Sequence, residues 1–292
     1  MSTGIYLDHI GIAVRDLALA QTDYARLGFT TTPLSLHASP PSPGAALEPS
    51  GSGNHCIMLE AGYIELLGIT GPGKTNSAVR MLEKYEGAHI LALGSKDAVA
   101  SREAVAALGF AIAAPVALER DALWGAGGVE TRRAAFANAY LDADAFPEAH
   151  TFVIEHKTPD VVWQAHQMVH ENGAVGLVEA WVCAADPVEA AARFARLAGT
   201  EAQAVSSGEY LVRLERGRLR IMDGAVFAGL AESAPPAVPG MGGLVVSVRD
   251  VEAVAGMLTS RGVAFRRGGA GISVTGAAVH GCVVSFVGGR AG

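Results

Sequence analysis

The sequence predicts an α+β fold of four βαβββ units that pair into two domains. The first observation is a sequence pattern that occurs four times: an apolar strand, an Asp, a run with helical spacing and then a Gly. The second is that each recurrence is followed by short strand-like segments separated by turn residues. The recurrences cover residues 7–29, 88–110, 177–199 and 242–263. One unit has a sheet too small to bury both faces, so the units are expected to combine in pairs.

The first unit shows this pattern most clearly. Its predicted elements are a strand at 7–14, a helix at 17–27 and strands at 29–32, 55–59 and 63–69. Gly28 follows the helix, where a left-handed terminating residue is expected. The stretch at 39–53 is rich in Pro, Ser and Gly, which predicts a long loop and a candidate lid over a site.

The other three units follow the same order of elements. Helices are predicted at 98–108, 187–197 and 251–261. Strands are predicted at 88–93, 110–113, 133–141 and 150–155 in the second unit, at 177–183, 202–205, 209–215 and 219–222 in the third, and at 243–248, 264–267, 271–274 and 282–287 in the fourth. We expect one domain at 1–160 and a second, degenerate one at 170–292, because the stretch between His156 and Ala174 contains the turn residues Pro159, Asn172 and Gly173.

Composition excludes several classes of function. The net charge is −7 with no basic stripe, which argues against nucleic-acid binding. No apolar run approaches the roughly 20 residues that span a bilayer, and the N-terminus has no signal-peptide pattern. Cys56, Cys183 and Cys282 lie far apart without a CxxC spacing, as expected of buried thiols in a reducing compartment. We therefore expect a cytoplasmic protein whose partner is a small-molecule substrate.

Four segments resemble the vicinal oxygen chelate superfamily, and within it the glyoxalase-like domain proteins. They are L-D-H-I-G-I-A-V-R-D-L from residue 7, R-L-G-F from residue 26, G-Y-I-E-L-L from residue 62 and F-V-I-E-H-K-T-P from residue 152. The resemblance implies that two units form a curved sheet around a cavity, with metal ligands on the first and last strand of each. Carried over to this sequence, the metal ligands would be His9, Glu65, His89 and Glu155. Such a set suits a divalent ion such as Zn²⁺, Ni²⁺, Mn²⁺ or Fe²⁺.

The repeat provides an internal control on this ligand set. The residue seven positions before the Asp that ends the first strand is His9 in the first unit, Glu179 in the third and Gly243 in the fourth. Ser285 stands where the first unit has Glu65, so the last two units are expected to be structural. His89 is eight residues before Asp97, and this slip would turn it to the other face unless a bulge absorbs the extra residue.

Other candidate groups lie close to these strands. His55 belongs to the third strand of the first unit, and His156 and Trp163 follow the last ligand strand, so all three are candidates for substrate binding. Residues 68–75 match the phosphate-binding pattern G-x-x-x-x-G-K-T. The preceding strand carries Glu65, which is unusual in a buried parallel strand, and the repeat makes this segment a connection between units. Nucleotide binding is therefore disfavoured.

The resemblance implies a metal-dependent lyase or isomerase of the glyoxalase type, acting through an enediolate. The metal would act as a Lewis acid, and Glu155 or Glu65 would be the catalytic base. Two alternatives stay open, a ring-cleaving extradiol dioxygenase and a protein that only binds a drug or metabolite. The sequence also leaves open whether the first two units close on each other or across a homodimer.

Overall fold

The computed structural model describes residues 3–39, 48–72, 76–269 and 271–289, which form sixteen strands and seven α-helices. The strands are β1 (Tyr6–Val14), β2 (Ser35–Ser39), β3 (Glu48–Met58), β4 (Tyr63–Ile69), β5 (Gly87–Gly94), β6 (Val116–Trp124), β7 (Glu130–Tyr140), β8 (His150–His156), β9 (Ala174–Cys183), β10 (Ala202–Ser206), β11 (Glu209–Arg213), β12 (Arg218–Met222), β13 (Gly240–Val248), β14 (Arg266–Gly268), β15 (Gly271–Val274) and β16 (Val283–Gly288). The helices are α1 (Leu17–Arg26), α2 (Ser77–Lys84), α3 (Ala98–Ala107), α4 (Pro159–Val162), α5 (Pro187–Ala198), α6 (Gly224–Ala231) and α7 (Val251–Ser260), with 3-10 turns at Ala165–Met168 and Ala277–Val279.

The strands form two eight-stranded sheets, each built from two sequence units. The order in the first sheet is β2-β3-β4-β1-β5-β8-β7-β6, and in the second it is β10-β11-β12-β9-β13-β16-β15-β14. In both sheets the first strands of the two units pair antiparallel at the centre, and each runs parallel to the last strand of its own unit. The predicted α+β fold of paired βαβββ units is confirmed, and units one and two share a sheet within one chain.

The Asp that ends each first strand begins the helix that follows. The side chains of Asp16, Asp97, Asp186 and Asp250 each accept a hydrogen bond from a backbone N–H in the first turn of α1, α3, α5 and α7. A cap of this kind stabilises a helix by about 1 kcal/mol. The recurring Asp is therefore a structural marker, and the same position in each unit can be counted from it.

The alternation of side chains along β1 separates the core from a cavity. Ile10, Ile12 and Val14 are buried in the main hydrophobic core, which also includes residues of α1, α5 and α7 and of the second sheet. His9 and Ala13 lie on the opposite face of the first sheet. The two sheets pack against each other through their central strands, where β1 contacts β9 and β5 contacts β13.

Several elements differ from the sequence-based prediction. Strand β2 begins at Ser35 instead of residue 29, and residues 48–53 of the predicted loop belong to β3. Residues 110–113 form only an isolated bridge through Ile112, while the charged segment of β6 forms a long hairpin with β7. Helix α6 was not predicted, because Gly224 and Gly229 lower its helix propensity; Asp223 caps it. Residues 40–47 of the predicted lid and residues 73–75 of the phosphate-loop pattern lie outside the described residues.

Two expectations from composition can be compared with the structure. All three cysteines are buried and free. Within the described ranges, no helix combines the length and hydropathy that crossing a bilayer would require. The predicted division between residues 160 and 170 falls in the segment that connects β8 to β9.

Candidate active site

A cavity of about 310 Å³ lies on the face of the first sheet that points away from the main core. Residues from all eight strands of this sheet and from α2 line it, among them His9 and Glu65. Small-molecule sites typically have volumes of about 300–1,000 Å³, so the cavity has room for a small ligand or for the reacting part of a larger one.

A β-bulge in β1 places two consecutive polar side chains together. The register between β1 and β5 shifts between Leu7 and His9, which makes Asp8 the extra residue. The Asp8 carboxylate lies 2.8 Å from Nδ1 of His9 and 3.1 Å from Nε2 of His156. A carboxylate only accepts hydrogen bonds, so Nδ1 of His9 is the donor and a neutral His9 ring carries its lone pair on Nε2.

Asp8 is fully buried, and its environment keeps it ionised. Burial on its own raises the pKa of Asp8, but the charges of His156 and His9 and their hydrogen bonds outweigh it and hold the pKa well below its ordinary value. The fixed negative charge stabilises positive charge on the His9 ring. Tyr63 stacks on His9 with ring centroids 4.2 Å apart, and Phe152 contacts its edge at 5.8 Å, so the ring is held in one orientation.

Glu65 faces the free nitrogen of His9. Its Oε1 accepts a hydrogen bond of 2.6 Å from Asn54 Nδ2, and its Oε2 lies 4.0 Å from Nε2 of His9. Glu65 is 9% exposed, so both groups are largely removed from bulk water. Two proton-accepting atoms therefore point at one region of the cavity, an arrangement suited to acid–base chemistry on a bound ligand.

The other two predicted metal ligands do not reach this cavity. His89 stacks on Tyr85 with centroids 3.9 Å apart, and its Nε2 lies 2.9 Å from the carbonyl oxygen of the same residue. Glu155 accepts hydrogen bonds from the backbone N–H of Ala98, at the start of α3, and from Lys157. The predicted set of four is therefore corrected, because only His9 and Glu65 line the cavity: alternation turns Glu155 to the other face of β8, and His89 is the extra residue at a second bulge, between Ala88 and Ile90.

A pseudo-twofold axis relates the two units of the first sheet, so the residues of the second unit that correspond to His9 and Glu65 can be identified. Across the central pair, His9 is opposite Ala92 and Gly11 is opposite Ile90, so Ile90 is the counterpart of His9. Glu65 pairs with Gly11 and Phe152 pairs with Ala92, so Phe152 is the counterpart of Glu65. Ile90 is also the residue seven positions before Asp97.

A resident divalent metal does not fit these residues. Protein zinc sites use at least three protein ligands, and at the positions equivalent to His9 and Glu65 the second unit has the apolar Ile90 and Phe152. Among the described residues, no group of three or more His, Cys, Asp or Glu side chains is arranged to hold a metal ion. The remaining residues of the sequence include none of these four types.

The three predicted substrate-binding residues lie outside the lining of the cavity. His55 is on the opposite face of β3, where its Nδ1 lies 2.8 Å from the carbonyl oxygen of Thr32. Trp163 donates a hydrogen bond to the carbonyl oxygen of Leu59 and packs on His156, with ring centroids 4.6 Å apart. His156 does not line the cavity itself, but it contacts Asp8 and packs against Tyr63 and Phe136, which do line it.

Asp8, Asn54, Arg120 and Asn138 are among the polar residues at the site that sequence reasoning missed. Alternation placed Asp8 on the face away from His9, and only the bulge reverses this. Asn54 and Arg120 fall in segments that were not predicted to be strands. Asn138 carried a signal, because it is a polar residue within the apolar run A-A-F-A-N-A-Y of a predicted strand.

An ion-pair network occupies the equivalent positions of the second sheet. Glu179 corresponds to His9 and Arg220 to Glu65, and the Arg220 Nε lies 2.7 Å from Glu179 Oε1. Trp181 and Arg218 also donate to the Glu179 carboxylate, which is 1% exposed. The charges and hydrogen bonds of these side chains are used within the network. Unlike His9 and Glu65, Glu179 and Arg220 are therefore not free to contact a ligand.

Comparison with known proteins gives the chain a family. The sequence model of the glyoxalase-like domain matches residues 7–198. No protein of curated function matches the sequence.

Solved structures match along the whole length. A hypothetical protein from Staphylococcus aureus has a TM-score of 0.65 at 13% identity, with 97% of this chain and 99% of that chain covered. A mutant of 4-hydroxymandelate synthase from Streptomyces coelicolor has a TM-score of 0.60 at 14% identity, with 100% and 95% covered. At these identities the likeness concerns the fold. Together with the family match, it shows that this chain belongs to the glyoxalase-like domain family of the vicinal oxygen chelate superfamily.

Proposed function

We propose that the protein is an isomerase or lyase that moves a proton between carbon atoms next to oxygen in a small substrate. The observation that carries this proposal is the pair formed by His9 Nε2 and Glu65 Oε2, 4.0 Å apart in the cavity. A 4.0 Å separation is longer than a direct hydrogen bond, so each atom is available to a ligand group placed beside it. Acid–base groups held in this way contribute factors of about 10²–10⁴ to rate.

The two side chains have different roles in this proposal. For a 2-hydroxy carbonyl substrate, Nε2 of His9 removes the proton from the carbon that bears the hydroxyl. The Glu65 carboxylate takes the hydroxyl proton and delivers it to the former carbonyl oxygen, so the intermediate is an enediolate whose charge has moved to the former hydroxyl oxygen. His9 then returns its proton to the neighbouring carbon, so that no external reagent is consumed.

The surroundings of the pair support this division. The buried Asp8 carboxylate stabilises the His9 imidazolium that forms when the proton is taken. Asn54 holds one oxygen of Glu65 and leaves the other directed at His9. Burial raises the pKa of Tyr63 well above its ordinary value, so its phenol stays protonated and can donate to a developing oxyanion. No step is assigned to a metal ion, because the ligand set does not fit one.

The experiment is hydrogen–deuterium exchange at carbon, followed by ¹H NMR in D₂O. The panel consists of 2-hydroxy aldehydes, 2-hydroxy ketones and hemithioacetals of 2-oxo aldehydes. We expect wild type to exchange the proton on the oxygen-bearing carbon of at least one class. His9→Gln and Glu65→Gln should each reduce the rate by at least about 100-fold.

Glu155→Gln is the matched control, because Glu155 is the other carboxylate of the predicted pair and points away from the cavity. It should retain the wild-type exchange rate. Equal loss of exchange in Glu65→Gln and Glu155→Gln would contradict the proposal, as would exchange that survives His9→Gln. Binding of panel compounds without any exchange would instead favour the non-catalytic, ligand-binding alternative.

A further inference from the structure

The two edge strands of the first sheet come together at Arg120, a residue that lines the cavity. Strands β2 and β6 are the two edge strands, and they lie in contact. Arg120, on β6, donates a hydrogen bond of 3.1 Å from Nη1 to Ser35 Oγ on β2. Its guanidinium lies 5.8 Å from the ring centroid of Phe136. Arg120 also lines an adjoining cavity of about 240 Å³, so it stands at the boundary of both spaces.

The charge of Arg120 is not neutralised by a neighbouring acid. Arg120 makes no ion pair within 4.0 Å with any described carboxylate. Its chain neighbours Glu119 and Asp121 both pair with Arg133, at 3.6 and 3.1 Å. Among the described residues that line the cavity, Arg120 is the only Lys or Arg. A half-buried guanidinium without an acidic partner is a site for a carboxylate or phosphate.

The field of Arg120 extends into the cavity. Burial is the main reason that the pKa of His37 lies below its ordinary value, and the Arg120 charge lowers it further while Glu65 opposes this. The lowered pKa disfavours the charged form of His37, whereas the guanidinium of Arg120 is charged at every ordinary pH. A short series of contacts joins it to the acid–base pair: Ser35 pairs with Asn54 in the sheet, and Asn54 donates to Glu65.

A second polar group lies on the far side of the cavity. Asn138 lines the cavity on β7 and is 7% exposed. Its Oδ1 has no hydrogen-bond partner among the described residues. A buried acceptor without a partner is costly, which favours a ligand that brings a donor to it. In the hairpin register Val116 pairs with Asn138 and Arg120 with Ala134, so the two polar groups lie about 13 Å apart along the strands.

We infer that the cavity binds small elongated carboxylates, with the carboxylate on Arg120 and a hydroxyl or other donor at Asn138. This assignment rests on the proposed function in that it names the substrate class of the same site. Between the two polar groups along the strands the lining includes the apolar Leu118 and Phe136, which suit a hydrocarbon segment. The carboxylate end of the ligand then lies near Asn54, the residue that donates a hydrogen bond to Glu65.

The test is a set of NMR titrations with hexanoate, hexanamide and 6-hydroxyhexanoate. We expect hexanoate to bind wild type at least about tenfold more tightly than its neutral analogue hexanamide, because only the anion forms charge-assisted bonds with Arg120. Arg120→Gln should reduce hexanoate binding to the level of hexanamide. Arg120→Lys should retain part of the preference, because it keeps the charge and loses the planar fork. Retained hexanamide binding shows that the variant site is folded.

The controls lie on the neighbouring strands. Arg132→Gln removes a cation of β7 that pairs with Glu130 and does not line the cavity, and it should leave all three affinities unchanged. Asn138→Leu should abolish the gain of 6-hydroxyhexanoate over hexanoate without changing hexanoate binding. Equal binding of hexanoate and hexanamide to wild type, no binding of either, or an Arg120→Gln variant that still prefers the anion would each overturn the inference.

These titrations separate this inference from the proposed function. They require no turnover, and they can be repeated in Glu65→Gln, which should still prefer hexanoate. Charge-dependent binding without carbon exchange would support the carboxylate site and contradict the proposed reaction. Carbon exchange on neutral substrates that is unchanged in Arg120→Gln would support the reaction and contradict the carboxylate site.

Discussion

Asp8 and His9 are consecutive in a strand, yet their side chains are hydrogen-bonded on the same side, with Asp8 Oδ1 2.8 Å from His9 Nδ1. The bulge at Asp8 makes this contact possible, because regular strand geometry would send the two side chains to opposite faces. A buried carboxylate is thereby fixed behind the imidazole of His9, whose Nε2 lies 4.0 Å from Oε2 of Glu65. The contact sets which nitrogen of His9 presents a lone pair to the cavity.

Asp8→Asn should impair catalysis much more than substrate binding. The amide keeps the size of the side chain but removes the charge that stabilises the His9 imidazolium. We expect kcat to fall by about 100-fold with KM changed less than about threefold. Steady-state kinetics on the compound found by the exchange assay provide the measurement. Asp144→Asn, at an exposed site, is the control, and a kcat within twofold of wild type for Asp8→Asn would refute this role.

The buried His170 should make stability depend on pH in the weakly acidic range. Burial is the main reason that its pKa is lowered, and its Nδ1 accepts a hydrogen bond from the Thr30 N–H. A histidine whose pKa is lower in the folded state binds more protons when unfolded. Its contribution to stability is therefore complete above the unfolded pKa of about 6.5 and is lost as the pH falls below it.

Urea unfolding at pH 7.5, 6.5 and 5.5 measures this dependence. Wild type should lose stability with a slope of up to about 1.4 kcal/mol per pH unit from this group. His170→Gln should be less stable at pH 7.5 and show a shallower slope. His166→Gln, at an exposed position, should keep the wild-type slope, and an unchanged slope in His170→Gln would show that the group does not titrate in this way.

The fold could be predicted from the sequence because its signals are local and repeated. A strand, an Asp cap, a helical run and a Gly recur in each unit, and each signal depends on only a few neighbouring residues. His9 and Glu65, which form the pair at the site, were both predicted from the resemblance of their strands to the glyoxalase-like family, and each is a polar residue within an apolar strand.

The rest of the site depends on features that the sequence does not encode locally. One bulge decides the direction of Asp8, and one residue of register decides that Ile90 replaces His89 in the cavity. Arg120 becomes part of the site only because two edge strands distant in sequence approach each other. These are tertiary relationships between strands, and neither composition nor periodicity reports them.

The ion-pair network of the second sheet should stabilise the protein only as a complete set. Arg220 holds Glu179, which is 1% exposed, and it also contacts Glu209. Arg220→Met leaves a buried carboxylate with fewer partners, and we expect a loss of about 3 kcal/mol in the free energy of unfolding. The double variant Glu179→Leu/Arg220→Met removes the orphaned charge and should recover most of that loss. A double variant no more stable than the single one would contradict this account.

Metal binding tests directly the difference between the two units of the first sheet. Wild type presents His9 and Glu65, while the counterparts are Ile90 and Phe152. We expect EDTA to leave the thermal midpoint and the exchange rate of wild type unchanged.

Ile90→His/Phe152→Glu supplies four ligands from two units, a number that suits tetrahedral Zn²⁺, and should bind about one zinc per chain by elemental mass spectrometry. Adding His89→Gln and Glu155→Gln to that variant should not reduce its zinc content, because neither side chain lines the cavity. Stoichiometric zinc in wild type that disappears in Glu155→Gln would instead restore the ligand set expected from the resemblance.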